Sequence, residues 1–291
     1  MLIRSPGTSA NLGPGFDCFG IAWDIYNEIE FIPGGGSLRI SGCPEEFQNE
    51  DNLAYQGYMA VMKAAGLSDN GLEIIFKETE VPVSRGLGSS AALITAGAVA
   101  ANELHNLGYS KDELLSIATP VEGHPDNIAP ALFGGFTASA MEGEQAVTAH
   151  FGINEKLHFT ALIPDFKLST ELSRSVLPQS YSRADAVYNV AHAALVIKAL
   201  ESGDGALLKT AMQDKIHQPY RMALIEGIER VRELAEGCGL TAMCISGAGS
   251  TLLCISENAD FSEKMSAAMA ESFPGWRVRK LLPELQGACE L

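Results

Sequence analysis

The chain has 291 residues, a formal net charge of −16 and an apolar content of 46%, with 19% of its residues charged. This length is enough for two domains with hydrophobic cores, or for one large domain. The acidic balance argues against nucleic acid and against an anionic membrane as partners, because both are recognised through basic surfaces.

Membrane insertion and secretion are also disfavoured. The longest apolar run, residues 91–101, is rich in alanine and shorter than the about 20 residues that span a bilayer. No basic-then-apolar leader opens the sequence. The six cysteines show no C-x-x-C spacing, so we expect reduced thiols. These features predict a cytoplasmic protein without a membrane segment.

Strand and helix signals alternate along the first half of the chain. The predicted elements are strands at 19–33 and 37–42, a helix at 52–65, a strand at 72–81, a helix at 91–102 and a strand at 134–139. A capping box from Ser110 to Glu113 predicts one more helix start. Residues 143–156 are polar and rich in turn formers. The predicted domains are therefore residues 1–152 and 153–291.

The second half has a different order of elements. They are predicted as a strand at 157–163, helices at 183–200, 206–212 and 223–236, strands at 241–245 and 251–255, a helix at 261–272 and a strand at 276–281. This order indicates an α+β domain and is compatible with a ferredoxin-like split β-α-β arrangement.

The segment PVSRGLGSSAA, residues 82–92, has the composition of a phosphate-binding loop. Gly86 and Gly88 let the backbone approach a ligand closely, and the helix that follows directs its free N–H groups and positive dipole end into the loop. The chain contains no G-x-x-x-x-G-K-[ST] motif, so the compensating positive charge must come from elsewhere, most simply from magnesium. The alternative is a tight turn whose serines only cap the helix.

Two further glycine- and serine-rich signatures lie near the ends of the chain, SPGTSANLGPGFD at 5–17 and SGAGST at 246–251. Together the three signatures resemble those of the GHMP kinases. The segments EGHPDN (122–127), STELSR (169–174) and HQPYR (217–221) narrow the resemblance to the homoserine kinases of that superfamily. The resemblance implies an α+β, two-domain GHMP kinase fold, with an N-terminal ribosomal-protein-S5-domain-2-like domain and a C-terminal ferredoxin-like domain.

The resemblance also implies ATP-dependent phosphorylation of the hydroxyl of L-homoserine. The implied ATP-binding residues are Pro82, Arg85, Gly86, Leu87, Gly88, Ser89, Ser90 and Ala91. Magnesium prefers hard oxygen ligands and retains several waters, so one hydroxyl and one carboxylate form a sensible ligand set. Ser90, preferred over Ser89, and Glu122 are the implied Mg²⁺ ligands.

The acceptor is expected to contact residues from both halves of the chain. The carboxylate of an amino acid suits the forked guanidinium groups of Arg174 and Arg221, which the resemblance places at the substrate. Asn11 and Asp17 are expected to hold the hydroxyl, and an acidic residue is expected to hold the ammonium. His124 either contacts substrate or caps a helix.

Asp126 and Asn127 are the candidate catalytic residues. In mevalonate kinase the comparable aspartate resembles a general base, whereas in homoserine kinases an asparagine faces the reaction. A hydroxyl that attacks a loose phosphoryl centre needs little prior deprotonation, so catalysis without a dedicated base is physically credible. We assign the pair to positioning of the substrate and the metal.

Two alternative functions are open from the sequence. The first is another GHMP small-molecule kinase of mevalonate, sugar or shikimate type, because other carboxylates would also suit the two arginines. The second is a ligand sensor without activity, although the candidate metal ligands and the Asp126–Asn127 pair are all present. The resemblance further implies a homodimer.

Overall fold

The computed structural model describes residues 1–68 and 70–291, which form two β-sheets with helices packed against them. The strands are β1 (Leu2–Ala10), β2 (Phe19–Pro33), β3 (Leu38–Ser41), β4 (Leu72–Thr79), β5 (Phe136–Glu142), β6 (Gln145–Phe151), β7 (His158–Ile163), β8 (Ala242–Ile245), β9 (Leu252–Ser256), β10 (Arg277–Leu281) and β11 (Cys289–Glu290). The helices are α1 (Leu53–Ala64), α2 (Ser89–Leu104), α3 (Lys111–Glu122), α4 (Pro125–Phe133), α5 (Thr170–Ser175), α6 (Arg183–Ser202), α7 (Gly205–Ala211), α8 (Gln218–Arg221), α9 (Ile228–Gly237) and α10 (Phe261–Ser272). Within the described residues, no helix has the length and apolar character needed to cross a membrane.

The first sheet has the strand order β11-β1-β2-β4-β3, and the hairpin β5–β6 joins it through β2. Helices α1 to α4 share one core with this sheet, which includes Ile29, Phe31 and Ile74. Each fully buried side chain of this size contributes about 1.5–3 kcal/mol. Small residues bring α1 and α2 close together, because a Cβ at Gly97 would lie 1.9 Å from the Ala54 carbonyl oxygen. This packing fixes the start of α2, where the phosphate loop ends.

The second sheet has the strand order β10-β7-β9-β8, with every neighbouring pair antiparallel. Counted along the chain, this is the 4-1-3-2 order of a ferredoxin-like domain. Helices α9 and α10 share one core with the sheet, through Val231 and Phe261. Helices α6 and α7 share a second core that also contains Trp23 and Phe136 from the first half. That second core joins the two sheets.

The α+β two-domain expectation is confirmed, and several element predictions need correction. Residues 145–151, predicted as a turn-rich boundary, form the edge strand β6, a short strand that lies between the turn formers Gly143 and Gly152. The predicted helix at 223–236 begins only at Ile228, because Gly227 adopts a left-handed conformation (φ +77°). The proposed division at residues 152/153 stays a prediction, and β11 returns from the second half to pair with β1.

Candidate active site

Residues 82–88 connect β4 to α2 and form the predicted phosphate loop. Gly86 and Gly88 both adopt left-handed conformations, with φ values of +76° and +67°. Gly88 is the N-cap of α2 and has no side chain to cap it, so the first N–H groups of the helix are left for a ligand. A Cβ at Gly88 would lie 1.9 Å from Thr8 Oγ1, so only glycine is accommodated here.

The last glycine signature of the sequence braces this loop. The Ser246 hydroxyl donates to the Gly86 carbonyl at 2.5 Å, and the Thr251 amide donates to the Arg85 carbonyl at 3.1 Å. The Arg85 guanidinium donates to the carbonyls of Pro164 and Asp165, at 3.0 and 2.7 Å. The loop is therefore fixed between the two sheets.

The predicted ATP-binding residues divide into two groups. Six of them line a shared cavity, namely Pro82, Arg85, Gly86, Gly88, Ser89 and Ser90. The side chains of Leu87 and Ala91 are buried in the cores instead. For those two residues, only the backbone would be available to a nucleotide.

The two predicted metal ligands lie together. The Ser90 hydroxyl donates a short hydrogen bond to Glu122 Oε2, across the space between the start of α2 and the end of α3. Burial raises the pKa of the Glu122 carboxyl, although the Ser90 hydrogen bond opposes this. A partly desolvated carboxylate beside a hydroxyl is a hard-oxygen donor set, and it fits Mg²⁺. No hydrogen bond joins Ser89 to Glu122 in the described part of the chain.

A second acidic cluster lies beside this pair. Asp17, His124 and Asp126 have ligand atoms within 4.8 Å of one another. Two guanidinium nitrogens of Arg174 bind the Asp17 carboxylate, and His124 Nδ1 bonds to Asp126. A cation already occupies part of this cluster, so it suits a polar substrate better than a metal ion.

His124 precedes α4, and Asp126 and Asn127 lie in the first turn of that helix. Burial lowers the pKa of His124, but the hydrogen bond and charge of Asp126 outweigh this effect, and the net shift is upward. The Thr8 hydroxyl donates to Asn127 Oδ1 at 2.7 Å. The side-chain nitrogen of Asn127, Nδ2, donates to Asp126 Oδ1 at 3.4 Å. Asp126 and Asn127 are both buried. A rigid polar group therefore forms next to the phosphate loop.

The second half of the N-terminal signature, residues 11–17, forms a loop after β1, and Asn11 and Asp17 of this loop line the cavity. Asn11 and Asp17 adopt left-handed backbone conformations. The side-chain oxygen of Asn11 accepts from the Asp17 amide at 2.9 Å, and its side-chain nitrogen donates to the Gly247 carbonyl at 2.7 Å. Both polar atoms of Asn11 are thus used within the protein. These bonds hold the loop in shape. Asn11 also lines the cavity, and its predicted contact with the substrate hydroxyl stays a prediction.

The two arginines predicted for the acceptor meet at this loop. Arg174 forms a two-pronged ion pair with Asp17, at 2.8 and 3.0 Å. Arg221 is 2% exposed, and its Nε donates to the Ser173 carbonyl at 3.0 Å. Burial, followed by the charge of Arg174, lowers the pKa of Arg221 below its usual value. Two neighbouring guanidinium groups in a desolvated site favour an anionic ligand.

One cavity of about 530 Å³ connects all of these groups. Its far end is apolar and was not predicted, because its side chains come from separate segments that carry no motif. They are Cys43, Phe47, Leu53, Phe76, Val81 and Leu93. Thr8 was also missed, although it lies within the N-terminal signature. The cavity therefore has an apolar end, a phosphate-binding middle and a charged end.

The arrangement of a glycine loop at a helix start, a serine–glutamate pair and a polar acceptor site is that of a phosphoryl-transfer enzyme. Two family models match the chain, the GHMP kinases N terminal domain at residues 52–135 and the GHMP kinases C terminal domain at residues 196–275. The chain belongs to the GHMP kinases.

Its similar relatives indicate a particular branch of that family. A homoserine kinase from Clostridium botulinum strain Okra is 44% identical over 283 residues, covering 96% of this chain and 94% of the relative. The homoserine kinase of Clostridium botulinum strain Eklund 17B is 41% identical over 288 residues, covering 98% and 97%.

Solved structures give the same result. The structure of homoserine kinase from Cytophaga hutchinsonii aligns with a TM-score of 0.88 and 27% identity, covering 99% of this chain and 96% of that one. A putative homoserine kinase from Listeria monocytogenes aligns with a TM-score of 0.82 and 28% identity, covering 99% and 98%. The mevalonate kinase of L. major, at a TM-score of 0.73 and 15% identity, shares the fold alone.

Proposed function

We infer that this protein is a homoserine kinase, which transfers the γ-phosphoryl group of ATP to the hydroxyl of L-homoserine and yields O-phospho-L-homoserine for threonine biosynthesis. The observation that carries this inference is the charged end of the cavity. An acidic side chain, Asp17, and two guanidinium groups, Arg174 and Arg221, lie together there, beyond the phosphate loop. This set is complementary to a zwitterion rather than to a simple acid.

In this proposal the nucleotide occupies the other two parts of the cavity. The β- and γ-phosphates bind the backbone amides of the phosphate loop and of the first turn of α2. The adenine ring lies among the apolar side chains at the far end, including Phe47, Phe76 and Val81. The buried apolar surface contributes affinity, while the phosphate contacts fix the position of the reacting group.

Ser90 and Glu122 are the residues that would hold Mg²⁺. A bound Mg²⁺ would supply neutralisation of the phosphate charge in the transition state. The loop itself contains one cation, Arg85, whose guanidinium is bonded to the Pro164 and Asp165 carbonyls. The short Ser90–Glu122 hydrogen bond brings the two oxygens together before any ligand arrives. Glu122 is raised in pKa by burial, so a cation next to it would favour its ionised form.

Binding of L-homoserine would exchange partners within the charged end. The substrate carboxylate would bind one edge of the Arg174 guanidinium together with Arg221, and the substrate ammonium would bind the Asp17 carboxylate. This revises the expected role of Asp17 from the hydroxyl to the ammonium, because Asp17 faces a cation in the free protein. An acceptor that lacks either charge would leave one member of the Asp17–Arg174 pair without compensation.

The hydroxyl of the acceptor would then lie near Asn127 and the His124–Asp126 pair. Thr8 fixes the rotamer of Asn127, and Asp126 is held by His124, so both are oriented before substrate binds. Because the transition state is loose, positioning the hydroxyl in line with the γ-phosphate supplies most of the catalysis. We propose that Asp126 and Asn127 orient the nucleophile and that no dedicated general base is required.

The proposed activity is tested by a coupled ADP-release assay with Mg-ATP. The acceptors to compare are L-homoserine, mevalonate, shikimate and galactose. Turnover confined to L-homoserine is the expected result. A preference for another acceptor would keep the phosphoryl-transfer chemistry and overturn the substrate assignment. ATP binding without turnover of any acceptor would favour a ligand sensor.

A further inference from the structure

His217 is a fully buried histidine to which the proposed reaction assigns no role. Its Nε2 lies 2.7 Å from the carbonyl oxygen of Gly13. A carbonyl oxygen can only accept, so Nε2 carries the proton and donates to it. In the neutral ring Nδ1 is then an acceptor, and it lies 3.5 Å from Nη1 of Arg221. The ring therefore connects the loop at residues 11–17 to Arg221, one of the two arginines proposed to bind the substrate.

The contacts of Arg221 show which part of its guanidinium is fixed. Nε donates to the Ser173 carbonyl at 3.0 Å, and Nη1 donates to the Gly247 carbonyl at 3.3 Å and faces His217. In the described part of the chain, Nη2 has no hydrogen-bond partner, and Arg221 lines the cavity. One edge of the guanidinium is thus held by the protein, while Nη2 is left for a ligand.

Phe16 adds a second connection between the same groups. Its ring stacks on His217, with centroids 5.2 Å apart and an interplanar angle of 24°. The guanidinium carbons of Arg221 and Arg174 lie 5.0 and 5.7 Å from the centre of the Phe16 ring. Such cation–π contacts orient both arginines against one aromatic surface. Phe16 is adjacent to Asp17, so the position of His217 is coupled to that of the acidic side chain.

We propose that His217 is a positioning residue, whose ring joins the Gly13 carbonyl to the Arg221 guanidinium and so fixes Arg221 relative to the loop that carries Asp17. This inference rests on the proposed function for the identity of the ligand. It assigns His217 no contact with substrate. Its effect on the reaction passes entirely through Arg221 and residues 11–17.

The protonation state of the ring is consistent with this role. Burial lowers the pKa of His217 to about 4, although the neighbouring Asp214 carboxylate opposes the shift and the Arg221 charge adds to it. The ring is therefore neutral near pH 7, and Nδ1 retains the lone pair that faces Arg221. Asp214 in turn accepts from the backbone amides of His217 and Gln218, at 2.8 and 2.6 Å, which fixes the start of α8.

The test compares two ligands in the wild-type enzyme and in His217→Phe. Phenylalanine keeps an aromatic ring against Phe16 and removes both nitrogens. The ligands are L-homoserine and 3-aminopropan-1-ol, which lacks the carboxylate, each measured as an acceptor or as a competitor of L-homoserine. In His217→Phe we expect kcat/KM for L-homoserine to fall by about 10-fold. The KM for ATP should change less than about twofold, and so should the kcat/KM or inhibition constant of 3-aminopropan-1-ol.

Two further measurements keep the inference refutable. His217→Gln can still donate to the Gly13 carbonyl, so its kcat/KM for L-homoserine should fall less than that of His217→Phe. If His217→Phe fails to fold, His217→Gln is used in its place. The ¹⁵N NMR signal of the Arg221 Nε–H group, assigned with Arg221→Lys, should shift in His217→Phe. Equal losses for both ligands, or an unshifted Arg221 signal, would refute the positioning role. The NMR result does not depend on the acceptor, so it separates failure of this inference from failure of the proposed function.

Discussion

Substitution of Gly88 by alanine should reduce both the stability of the protein and its turnover. The φ of +67° at Gly88 costs a non-glycine residue about 1–2 kcal/mol. In addition, the new Cβ would lie 1.9 Å from Thr8 Oγ1 and 3.0 Å from the Thr8 amide nitrogen. That amide donates to the Leu87 carbonyl at 3.0 Å, so the backbone of Thr8 has little freedom to move. The hydroxyl must move instead, and it then releases Asn127.

The loss of a buried hydrogen bond of this kind amounts to about 1–3 kcal/mol, which corresponds to roughly 5- to 160-fold in rate. Gly66→Ala is a matched control, because Gly66 has a φ of +68° and no atom within 4 Å of the new Cβ. Urea unfolding and steady-state kinetics of both variants separate the two effects. Both should lose stability from backbone strain, Gly88→Ala should lose more because it also breaks the buried Thr8–Asn127 hydrogen bond, and only Gly88→Ala should lose kcat. Equal kcat in the two variants would refute the assignment of Thr8 and Asn127 to the reacting site.

Four other expectations concern the acceptor, the metal and pH. Asn127→Ala should reduce kcat more than it raises KM for L-homoserine, and equal effects on both would contradict its placement at the reacting hydroxyl. Asp17→Asn should raise KM for L-homoserine by roughly 10- to 150-fold, from the loss of about 1.5–3 kcal/mol of charged hydrogen bonding, with an unchanged KM for ATP as the internal control. Glu122→Gln should raise the Mg²⁺ concentration for half-maximal activity by at least ~10-fold, measured by titration at saturating ATP, and an unchanged Mg²⁺ dependence would remove Glu122 from the ligand set. His217 has a folded pKa of about 4, below the unfolded value of 6.5, so the unfolded chain binds more protons between these values and the free energy of unfolding should fall as pH decreases from 6.5 to 4. The full contribution is on the order of 3 kcal/mol, and His217→Gln should lack it in urea unfolding at pH 4.5 and 7.

Local signals in the sequence were sufficient for most of the fold. The strand at 19–33 and the helix at 261–272 were predicted with the bounds that the structure has, because periodicity and flanking turn residues mark both ends. The edge strand β6 was missed because it is short and lies between turn-forming residues, Gly143 and Gly152, which dominated the reading of this segment. The break at Gly227 was missed because the apolar spacing continues across it.

The parts of the candidate site that belong to a single sequence motif were predictable. The phosphate loop and the Ser90–Glu122 pair belong to this class, and the structure brings the latter two into contact. The apolar end of the cavity carries no motif, since its residues converge only in the folded chain. The partners of Arg174 and Asn11 were not predictable either, because sequence spacing does not show which polar groups are satisfied within the protein.

We propose that the charged end of the cavity selects L-homoserine as the phosphoryl acceptor. The most direct measurement is a competition, in which the enzyme and Mg-ATP are given equal concentrations of L-homoserine, 4-hydroxybutanoate and mevalonate, and the phosphorylated products are identified by mass spectrometry. The two competitors carry a carboxylate and a hydroxyl but no ammonium. We expect O-phospho-L-homoserine to be the dominant product by about 10-fold or more, because each competitor lacks the ammonium and therefore one charged hydrogen bond. Comparable phosphorylation of 4-hydroxybutanoate or of mevalonate would contradict recognition of the zwitterion by Asp17 and the two arginines.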